Sequence, residues 1–520
     1  MSAEVDLLRL VQQADWTRLN LAAETNDGSK LLIAPGRRYR LQTPDGVRGC
    51  DGERPWLHPE RDEDRHSNWI GGPQTPLPML LFPAWLLRNS RLEVRGHLTA
   101  CGRDAIDVVA TERSSIVNPL RRNQVRPGRT EALVDAELGI LLRVAYLPGE
   151  DSLPEDEEPP DVTELVSLVV DPVIDPAQFI PPPGSAVGES WTDAFDSAGP
   201  VAAAVQTAAG LAAGAVGALI NHRTSSRAET ASGETEASMP QDDPAPEMSP
   251  DGRPAGPDVS DEVLQLLHDS GAATFDATAH EWFDESAMLS QVPESVRRTG
   301  FGGFGVLVSA LAERRAGVTD TVSAIRIGGP GLYQVDRQAE AKRARPKTIA
   351  CDGQRRWVVG EDKVTVGPAS PPPPDIGDLA DASWLLECWL SGGALIMSGD
   401  RPAYRLHAAR RDTTFWLSPM MFFPAAVAVV DAELGIVLSL TSFLGGKPVR
   451  RHELRDVAPT QPGDFRVNIP PDLPVEPAAS RDADREHPPD TPLKLAGAVA
   501  QEVGKEAVKA ARNFLRRLNS

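Results

Sequence analysis

Short apolar runs alternate with turn-forming residues over most of the chain. The runs span residues 30–41, 92–99, 104–111, 131–146 and 162–170. The dipeptides Asp51–Gly52 and Pro148–Gly149 lie between runs, and Leu138–Gly139 divides the run 131–146. Runs of this length favour β-strands, and glycine-containing pairs between them favour hairpins. The pattern therefore predicts antiparallel sheets in which consecutive strands pair.

Several segments interrupt the strand pattern with apolar residues at helical spacing. Residues 78–89 and 376–390 predict one helix lying across each of two sheets. Residues 261–268 and 306–315 predict two further helices in the second half of the chain, with a strand at 272–283 between them. The second half is therefore expected to be the more elaborate.

The chain contains two copies of one motif order. The hexapeptide Asp135–Ile140 recurs unchanged as Asp431–Ile436. In both halves it is preceded by a Cys-Asp-Gly hairpin with a tryptophan four residues after the glycine, and then by a Trp-Leu-Leu segment. Because the order never breaks, the sequence indicates an internal repeat, which decides the fold prediction. An α+β protein of two tandem domains is expected, in which helices cover antiparallel sheets.

Composition shifts divide the chain further. Residues between the copies are rich in Ser, Thr, Pro, Glu and Asp with few large apolar residues, so they are expected to be disordered. The predicted organisation is a first domain, an Ala-rich helix, an acidic linker, a second domain, a short linker and a basic amphipathic helix, at residues 1–185, 186–222, 223–258, 259–475, 476–490 and 491–520.

A sheet with an apolar helix against one face has two interpretations. One is an ordinary α+β core in which Trp85 and Trp384 are packing residues. The other is a curved, incompletely closed sheet whose concave face holds an apolar ligand beneath the helices. The pattern alone leaves both open.

The motif order resembles that of the lipoprotein-carrier superfamily of LolA, LolB and RseB-like proteins, most closely its RseB-like and actinobacterial members, in two tandem copies. The resemblance implies two antiparallel β half-barrels with helices over their concave faces and cavities for acyl chains. It implies these cavity-lining candidates: Trp85, Leu86, Leu87, Trp384, Leu385, Leu386, Tyr39, Tyr333, Trp56 and Trp357. Members usually carry an export signal or a lipobox cysteine, and neither is seen here.

Charge and cysteine usage exclude several classes of protein. A net charge of −21, from 53 basic and 74 acidic residues, argues against sequence-independent binding to nucleic acid. The four cysteines are too few for a disulfide scaffold and lack zinc-binding spacing. The first ten residues do not read as a secretory signal, so the expected location is the cytoplasm, with a possible peripheral position at the inner membrane face.

No motif rises to a catalytic signature. The glycines of 300–305 lack the preceding strand that a nucleotide-binding loop needs, and the acidic, histidine-containing segment 58–66 has no counterpart in the second copy. The repeated acids of Asp135–Ile140 and Asp431–Ile436 are interpreted as water-facing turn residues. We therefore expect no enzyme activity, no cofactor and no metal.

Two segments have possible roles at a membrane. Residues 200–220 carry no charge but contain few large aliphatic side chains, which favours a helix packed on protein or lying at a lipid surface. The C-terminal helix has an apolar stripe and a local positive charge, which fits an anionic membrane or an acidic face of its own sheet equally well. Its candidate contact residues are Lys505, Lys509, Arg512, Phe514, Arg516 and Arg517.

These features together predict a non-enzymatic binding protein. Its expected partners are apolar ligands, either lipid or acyl chains or lipidated proteins, held in the two half-barrel cavities, with no nucleic acid. The alternative is a ligand-free protein-interaction or regulatory module resembling the RseB-like sensors.

Overall fold

A computed structural model gives the fold. It describes residues 3–43, 46–59, 80–81, 83–87, 90–113, 129–147, 161–187, 244–249, 252–284, 318–337, 347–360, 362–370, 372–411, 423–461 and 463–477. The helices predicted at 200–220, 306–315 and 491–520, with all six candidate contact residues of the C-terminal helix, lie outside these residues.

The first half of the chain forms one 11-stranded sheet in which all neighbouring strands are antiparallel. The order is β11-β5-β4-β3-β2-β1-β10-β9-β8-β7-β6. The strands are β1 Leu21–Thr25, β2 Lys30–Ala34, β3 Arg38–Thr43, β4 Gly46–Asp51, β5 Pro55–Pro59, β6 Ser90–Ala100, β7 Arg103–Glu112, β8 Arg129–Asp135, β9 Leu141–Leu147, β10 Asp161–Val170 and β11 Ala186–Val187.

The second half forms a 12-stranded sheet, ordered β18-β19-β20-β21-β22-β12-β13-β14-β15-β16-β17-β23. Only its β17–β23 pair is parallel. The strands are β12 Phe275–Asp284, β13 Val318–Gly329, β14 Leu332–Arg337, β15 Lys347–Asp352, β16 Arg355–Val359, β17 Val364–Pro368, β18 Trp389–Ser398, β19 Arg401–Ala409, β20 Ala425–Asp431, β21 Val437–Leu444, β22 Lys447–Pro459 and β23 Val475–Pro477.

The two sheets have matching strand orders. We call the first half of the chain with its sheet the first unit, and the second half with its sheet the second unit. In each unit, the first strand, β1 or β12, pairs with the next strand and with a long strand from late in the unit, β10 or β22. Hairpin-connected strands then continue outward on both sides. The end strands of neither sheet pair with each other among the described residues, so both sheets are open. The prediction of mostly antiparallel sheets with few helices is confirmed.

Short helices pack on the sheets. They are α1 Ala3–Gln13, α2 Asp261–Asp269 and α3 Pro374–Ala380, with 3₁₀ helices η1 Trp16–Arg18, η2 Pro83–Leu86, η3 Pro176–Phe179 and η4 Ala382–Glu387. The helix predicted at 261–268 is confirmed. The helix predicted at 376–390 is shorter, because residues from Trp389 onward belong to β18.

Helix α1 corrects the expectation that the second half alone has a helix before its sheet. The apolar positions Leu7, Leu8 and Val11 of α1 have the same spacing as Val263, Leu264 and Leu267 of α2. In α2, Ser260 caps the first turn by accepting a hydrogen bond from the Val263 N–H. Helix α1 is longer than α2 and has the same apolar spacing, so it could also have been predicted from the sequence.

The C-terminal part of the predicted disordered linker is also ordered. Residues 244–249 and 252–258 include a β-bridge between Met248 and Pro254, and Pro254 is buried. Arg253 makes an ion pair with Asp15 of the first unit, with 2.5 Å between the charged groups. Low hydrophobicity did not prevent this segment from folding, because it is fixed by contacts to both units rather than by a core of its own.

The two aspartates of the repeated hexapeptide are structural, which corrects their interpretation as water-facing turn residues, whereas Glu137 and Glu433 are exposed to solvent as predicted. Asp135 and Asp431 are fully buried. The Asp135 carboxylate accepts hydrogen bonds from the Glu137 and Leu138 N–H groups, at 3.0 and 2.8 Å, and from the Arg103 guanidinium. Asp431 has the same partners in the second unit, namely Glu433, Leu434 and Arg401.

This turn holds a helix against each sheet. Gly139 and Gly435 have positive φ angles of 68° and 67°. A Cβ atom on Gly139 would lie 2.7 Å from the Leu10 carbonyl oxygen, and one on Gly435 would lie 3.1 Å from that of Leu266. Glycine is therefore required both by the left-handed backbone and by the close approach of α1 or α2.

We expect Asp135→Asn to lower the free energy of unfolding by about 3 kcal/mol. The reason is that the Arg103 guanidinium then faces a neutral amide in place of the buried carboxylate. The matched control is Glu137→Gln, whose carboxylate is largely exposed, with a change within about 0.5 kcal/mol. Urea unfolding followed by circular dichroism at pH 7 measures both. Equal effects from the two variants would contradict the assignment.

Lowering the pH should remove the same contribution of Asp135 to the free energy of unfolding. Burial alone raises the pKa of Asp135, but the Arg103 guanidinium and the turn N–H groups outweigh it, so the pKa lies below 3.8. The stabilisation is therefore present above the ordinary aspartate pKa and is lost progressively as the pH falls from there through the lowered pKa of the folded state. The difference between wild type and Asp135→Asn should shrink over that window, and a constant difference would count against the account.

Candidate functional site

The helices of the two units face each other. Helix α1 contacts α2, and η2 of the first unit contacts η4 of the second. The apolar side chains of both α helices are buried, namely Leu7, Leu8, Val11, Val263, Leu264 and Leu267. Each amphipathic helix therefore covers the inner face of its own sheet and packs against the other unit at the same time.

The inner faces of both sheets belong to one continuous apolar core. On the first sheet it includes Ile33 and Leu41, and on the second it includes Ile325 and Val335. The helices lie between the two sheets rather than on the outside. The two predicted interiors are thus parts of a single apolar region.

Most of the predicted cavity residues lie in this region. Tyr39 and Tyr333 project from equivalent strands, each paired with a cysteine of the next strand, Cys50 or Cys351. The Trp-Leu-Leu segments supply the rest, and Leu86, Leu87, Trp384, Leu385 and Leu386 are buried. Trp85 is half-buried beside Tyr146, with ring centroids 6.0 Å apart.

Trp56 and Trp357 lie on the other face of their sheets and do not belong to the cavity-lining set. Trp56 pairs with Gly49, which precedes the inward-facing Cys50, and Trp357 pairs with Ala350, which precedes Cys351. Neighbouring residues of a strand face opposite sides, so both tryptophans point away from the tyrosines. The Trp56 indole N–H donates to the Phe179 carbonyl oxygen of η3, at 2.9 Å.

The end of α1 is completed by the second unit. Arg411 follows β19, is 4% exposed, and donates hydrogen bonds to the carbonyl oxygens of Gln12 and Ala14. These carbonyls belong to the last turn of α1, where backbone acceptors have no partner within the helix. Burial lowers the pKa of Arg411 to about 10, so the guanidinium remains charged at neutral pH.

The end of α2 is completed by the first unit in the same way. Arg113 follows β7 and donates to the carbonyl oxygens of His268 and Ser270, at 2.6 and 2.7 Å. Burial lowers the pKa of His268 to about 4, and the nearby Arg113 charge adds to this, so the ring is neutral at neutral pH. The two arginines thus form a reciprocal pair of caps between the units.

Further polar contacts surround the arginine caps. The Trp389 ring lies between two guanidinium groups, with Arg253 at 3.8 Å and Arg411 at 4.0 Å from its centroid. The Gln12 amide donates to the Cys388 carbonyl oxygen at 2.6 Å. At the rim, Arg9 of α1 pairs with Asp261 of α2. Charged groups at the boundary of the apolar region therefore hold the two units together.

Sequence reasoning missed both arginine caps. A signal existed in the repeat, because Arg103 and Arg113 are ten residues apart, as Arg401 and Arg411 are. The residues that accept these hydrogen bonds also correspond, because Gln12 and Ala14 are two residues apart, as His268 and Ser270 are. The repeat could not show that each arginine caps a helix of the other unit, because that depends on how the two units pack.

The edge strands β6 and β18 expose apolar side chains. Each strand is at one end of its sheet order, so one backbone edge has no partner among the described strands. Leu98 on β6 is 40% exposed, and Leu395 and Met397 on β18 are 63% and 64% exposed. An exposed apolar edge strand is a surface on which another strand can pair.

Within the described residues, no helix has the length and apolar character that crossing a bilayer requires.

Comparison with known proteins gives only weak likenesses. No family model matches the chain, and no curated protein matches it. Among solved structures, an uncharacterized conserved protein from Thermus thermophilus is 10% identical, with 42% of this chain and 98% of that chain covered and a TM-score of 0.24. A chain of the Pseudomonas aeruginosa MucA/MucB complex is 14% identical, with coverage of 36% and 64% and a TM-score of 0.23.

A LolA superfamily protein from Nitrosomonas europaea is also similar, with 9% identity, coverage of 38% of this chain and 94% of that chain, and a TM-score of 0.21. This chain therefore spans slightly less than two thirds of the Pseudomonas protein. TM-scores this low do not establish a common fold, so the resemblance to the lipoprotein carriers stays a prediction.

Replacing a cap should uncouple the two units. Arg411→Met keeps much of the side-chain volume but leaves the Gln12 and Ala14 carbonyls without donors, which costs about 2 to 4 kcal/mol. We expect scanning calorimetry to resolve two unfolding transitions instead of one. The control is Arg9→Met, which removes an exposed ion pair worth less than about 1 kcal/mol. A single, unshifted transition for Arg411→Met would contradict the capping role.

Proposed function

We propose that the protein is a non-enzymatic binding protein built from two tandem copies of a β half-barrel domain, whose joint apolar interior binds lipid or acyl chains or the lipid of a modified partner. One observation carries the proposal. The inner faces of two open sheets, the helices and the Trp-Leu-Leu segments form a single apolar region between the units. Ligand-binding sites are mostly apolar and lie preferentially between domains, as this region does.

The boundary of that region supports its use as a binding site that opens. The contacts that hold the units together at this boundary are hydrogen bonds and ion pairs. They include Arg411 with α1, Arg113 with α2 and Arg253 with Asp15. Interfaces between domains that move are more polar than permanent ones, and these contacts are the polar part of an otherwise apolar interface. Parting the helices would present the inner faces of both sheets to one ligand.

The pKa values of the ionisable groups support a function in which the protein catalyses no reaction. Burial raises the pKa of the Cys50 thiol to about 11 and also raises that of Cys351, so neither is a reactive thiolate at neutral pH. Across β12 and β22, Glu281 is held between Arg450 and His452, and their charges lower its pKa far despite its burial. A carboxylate this acidic is a poor general base, and the group is better understood as a partly buried ion pair.

Lipid extraction from the purified full chain tests the proposal first. Mass spectrometry of the extract should recover acyl-chain lipids in stoichiometric amount, and delipidated protein should bind a fluorescent fatty acid saturably. Trp85→Ala should weaken that binding about tenfold, since the side chain packs at the margin of the apolar region. No extracted lipid together with no saturable binding would overturn the proposal.

A matched control is available for this variant. Trp357 is half-buried like Trp85 but lies on the outer face of its sheet. Trp357→Ala should therefore leave the affinity for the fluorescent fatty acid within about twofold. Equal losses from the two variants would show that the probe reports general destabilisation rather than binding in the interior.

The exposed edge of β18 favours a second candidate function, a ligand-free protein-interaction module. A partner segment could add a strand to this edge, with Leu395 and Met397 as apolar contacts. A photo-crosslinking residue at position 397 should then capture one defined partner in cells, while the same residue at Val169, exposed on β10, should not. Identical labelling patterns from the two positions would exclude a specific partner at β18.

A further inference from the structure

Three potential metal ligands from the two units meet beside the helix contact. Glu4 lies in the first turn of α1, and His268 and Asp269 lie in the last turn of α2. His268 Nδ1 is 3.4 Å from Glu4 Oε1 and 3.4 Å from Asp269 Oδ1. The three ligand atoms all lie within 4.8 Å of one another.

The histidine is the unusual member of this group. Its side chain is 1% exposed, and neither ring nitrogen has a hydrogen-bond partner. A buried polar group without a partner costs about 1 to 3 kcal/mol, which makes such a group rare in folded proteins. Nδ1 is directed towards two carboxylate oxygens, at a distance at which a hydrogen bond would be long.

The two separations from His268 Nδ1 fit a metal ion better than a hydrogen bond. Zinc binds imidazole nitrogen and carboxylate oxygen at about 2.0 to 2.1 Å in a tetrahedron, which places neighbouring ligand atoms about 3.3 Å apart. Both measured separations from Nδ1 are close to this value. Two carboxylates and one neutral imidazole also form a donor set that zinc accepts.

We propose that Glu4, His268 and Asp269 form a divalent transition-metal site, best matched to zinc, that joins α1 of the first unit to α2 of the second. The Glu4 and Asp269 side chains are 33% and 58% exposed, which leaves a path for the ion and room for a water ligand. The site is independent of the binding function proposed above.

Two neighbours shape the site. Gln265 donates to Asp269 Oδ2 at 2.8 Å, which orients the carboxylate with Oδ1 towards His268. Arg113 lies 3.3 Å from Asp269 Oδ1 and brings a like charge near the ion. The Arg113 guanidinium is held by the carbonyls of His268 and Ser270, and a carboxylate oxygen has lone pairs for both a donor and a metal.

Zinc binding to the metal-free full chain tests the site. Isothermal titration calorimetry should find a micromolar zinc site that His268→Ala and Glu4→Gln each weaken by at least about tenfold. The controls are His97→Ala, an exposed histidine on β6, and Asp261→Asn at the other end of α2, which should change the affinity by less than about twofold. Absence of micromolar binding, or binding that neither Glu4→Gln nor His268→Ala weakens, would overturn the proposal.

Glu4→Gln protects the test against misfolding, because this side chain is partly exposed and outside the core. Cobalt as a probe separates this site from the cysteines. Cobalt bound by nitrogen and oxygen should show only weak visible bands that His268→Ala abolishes, whereas a thiolate ligand would add intense charge-transfer absorption and would overturn the assignment.

Discussion

The arrangement of this protein depends on two helix ends that are buried without partners of their own. The last carbonyls of α1 and α2 point into the contact between the units, where water cannot serve them. Arg411 and Arg113 supply the missing donors, and each comes from the opposite unit. Neither helix end is therefore complete until the two sheets face each other.

This constraint explains why the apolar residues of both units merge into one region. A helix that must reach across to the other sheet cannot lie on the outside, so the inner faces of the sheets are brought together around it. The Asp135 and Asp431 turns fix the other side of each helix through Gly139 and Gly435. The turn of the repeated hexapeptide thus holds each helix against its own sheet, and the arginines hold each helix to the opposite unit.

Much of the fold could be predicted from the sequence, because strand periodicity and a repeated motif order are local signals. Most of the long strands of the first sheet and helix α2 followed from them, whereas β1 and β11 lay outside the predicted runs. The sheet face on which Trp56 and Trp357 lie could not be predicted in this way, because it depends on strand register, and a shift of one residue reverses the face. The burial of Asp135 also escaped prediction, because its partner Arg103 lies on another strand.

The contacts between the units were beyond sequence reasoning for a similar reason. Glu4, Arg113 and Arg411 have no distinctive neighbours along the chain and acquire their roles only when residues far apart in sequence meet. Even the segment around Arg253 looked disordered by composition, yet its arginine lies between Asp15 and the Trp389 ring. Packing between units, rather than local preference, decides these positions.

The most direct test of the facing arrangement is a cross-link between α1 and α2. Arg9 and Asp261 contact each other at the rim of the interface, so Arg9→Cys and Asp261→Cys place two accessible thiols side by side at little cost in stability. With a short bis-maleimide, mass spectrometry should find the two peptides joined within one chain in most molecules. Single labelling of both thiols without that intramolecular link would contradict the account.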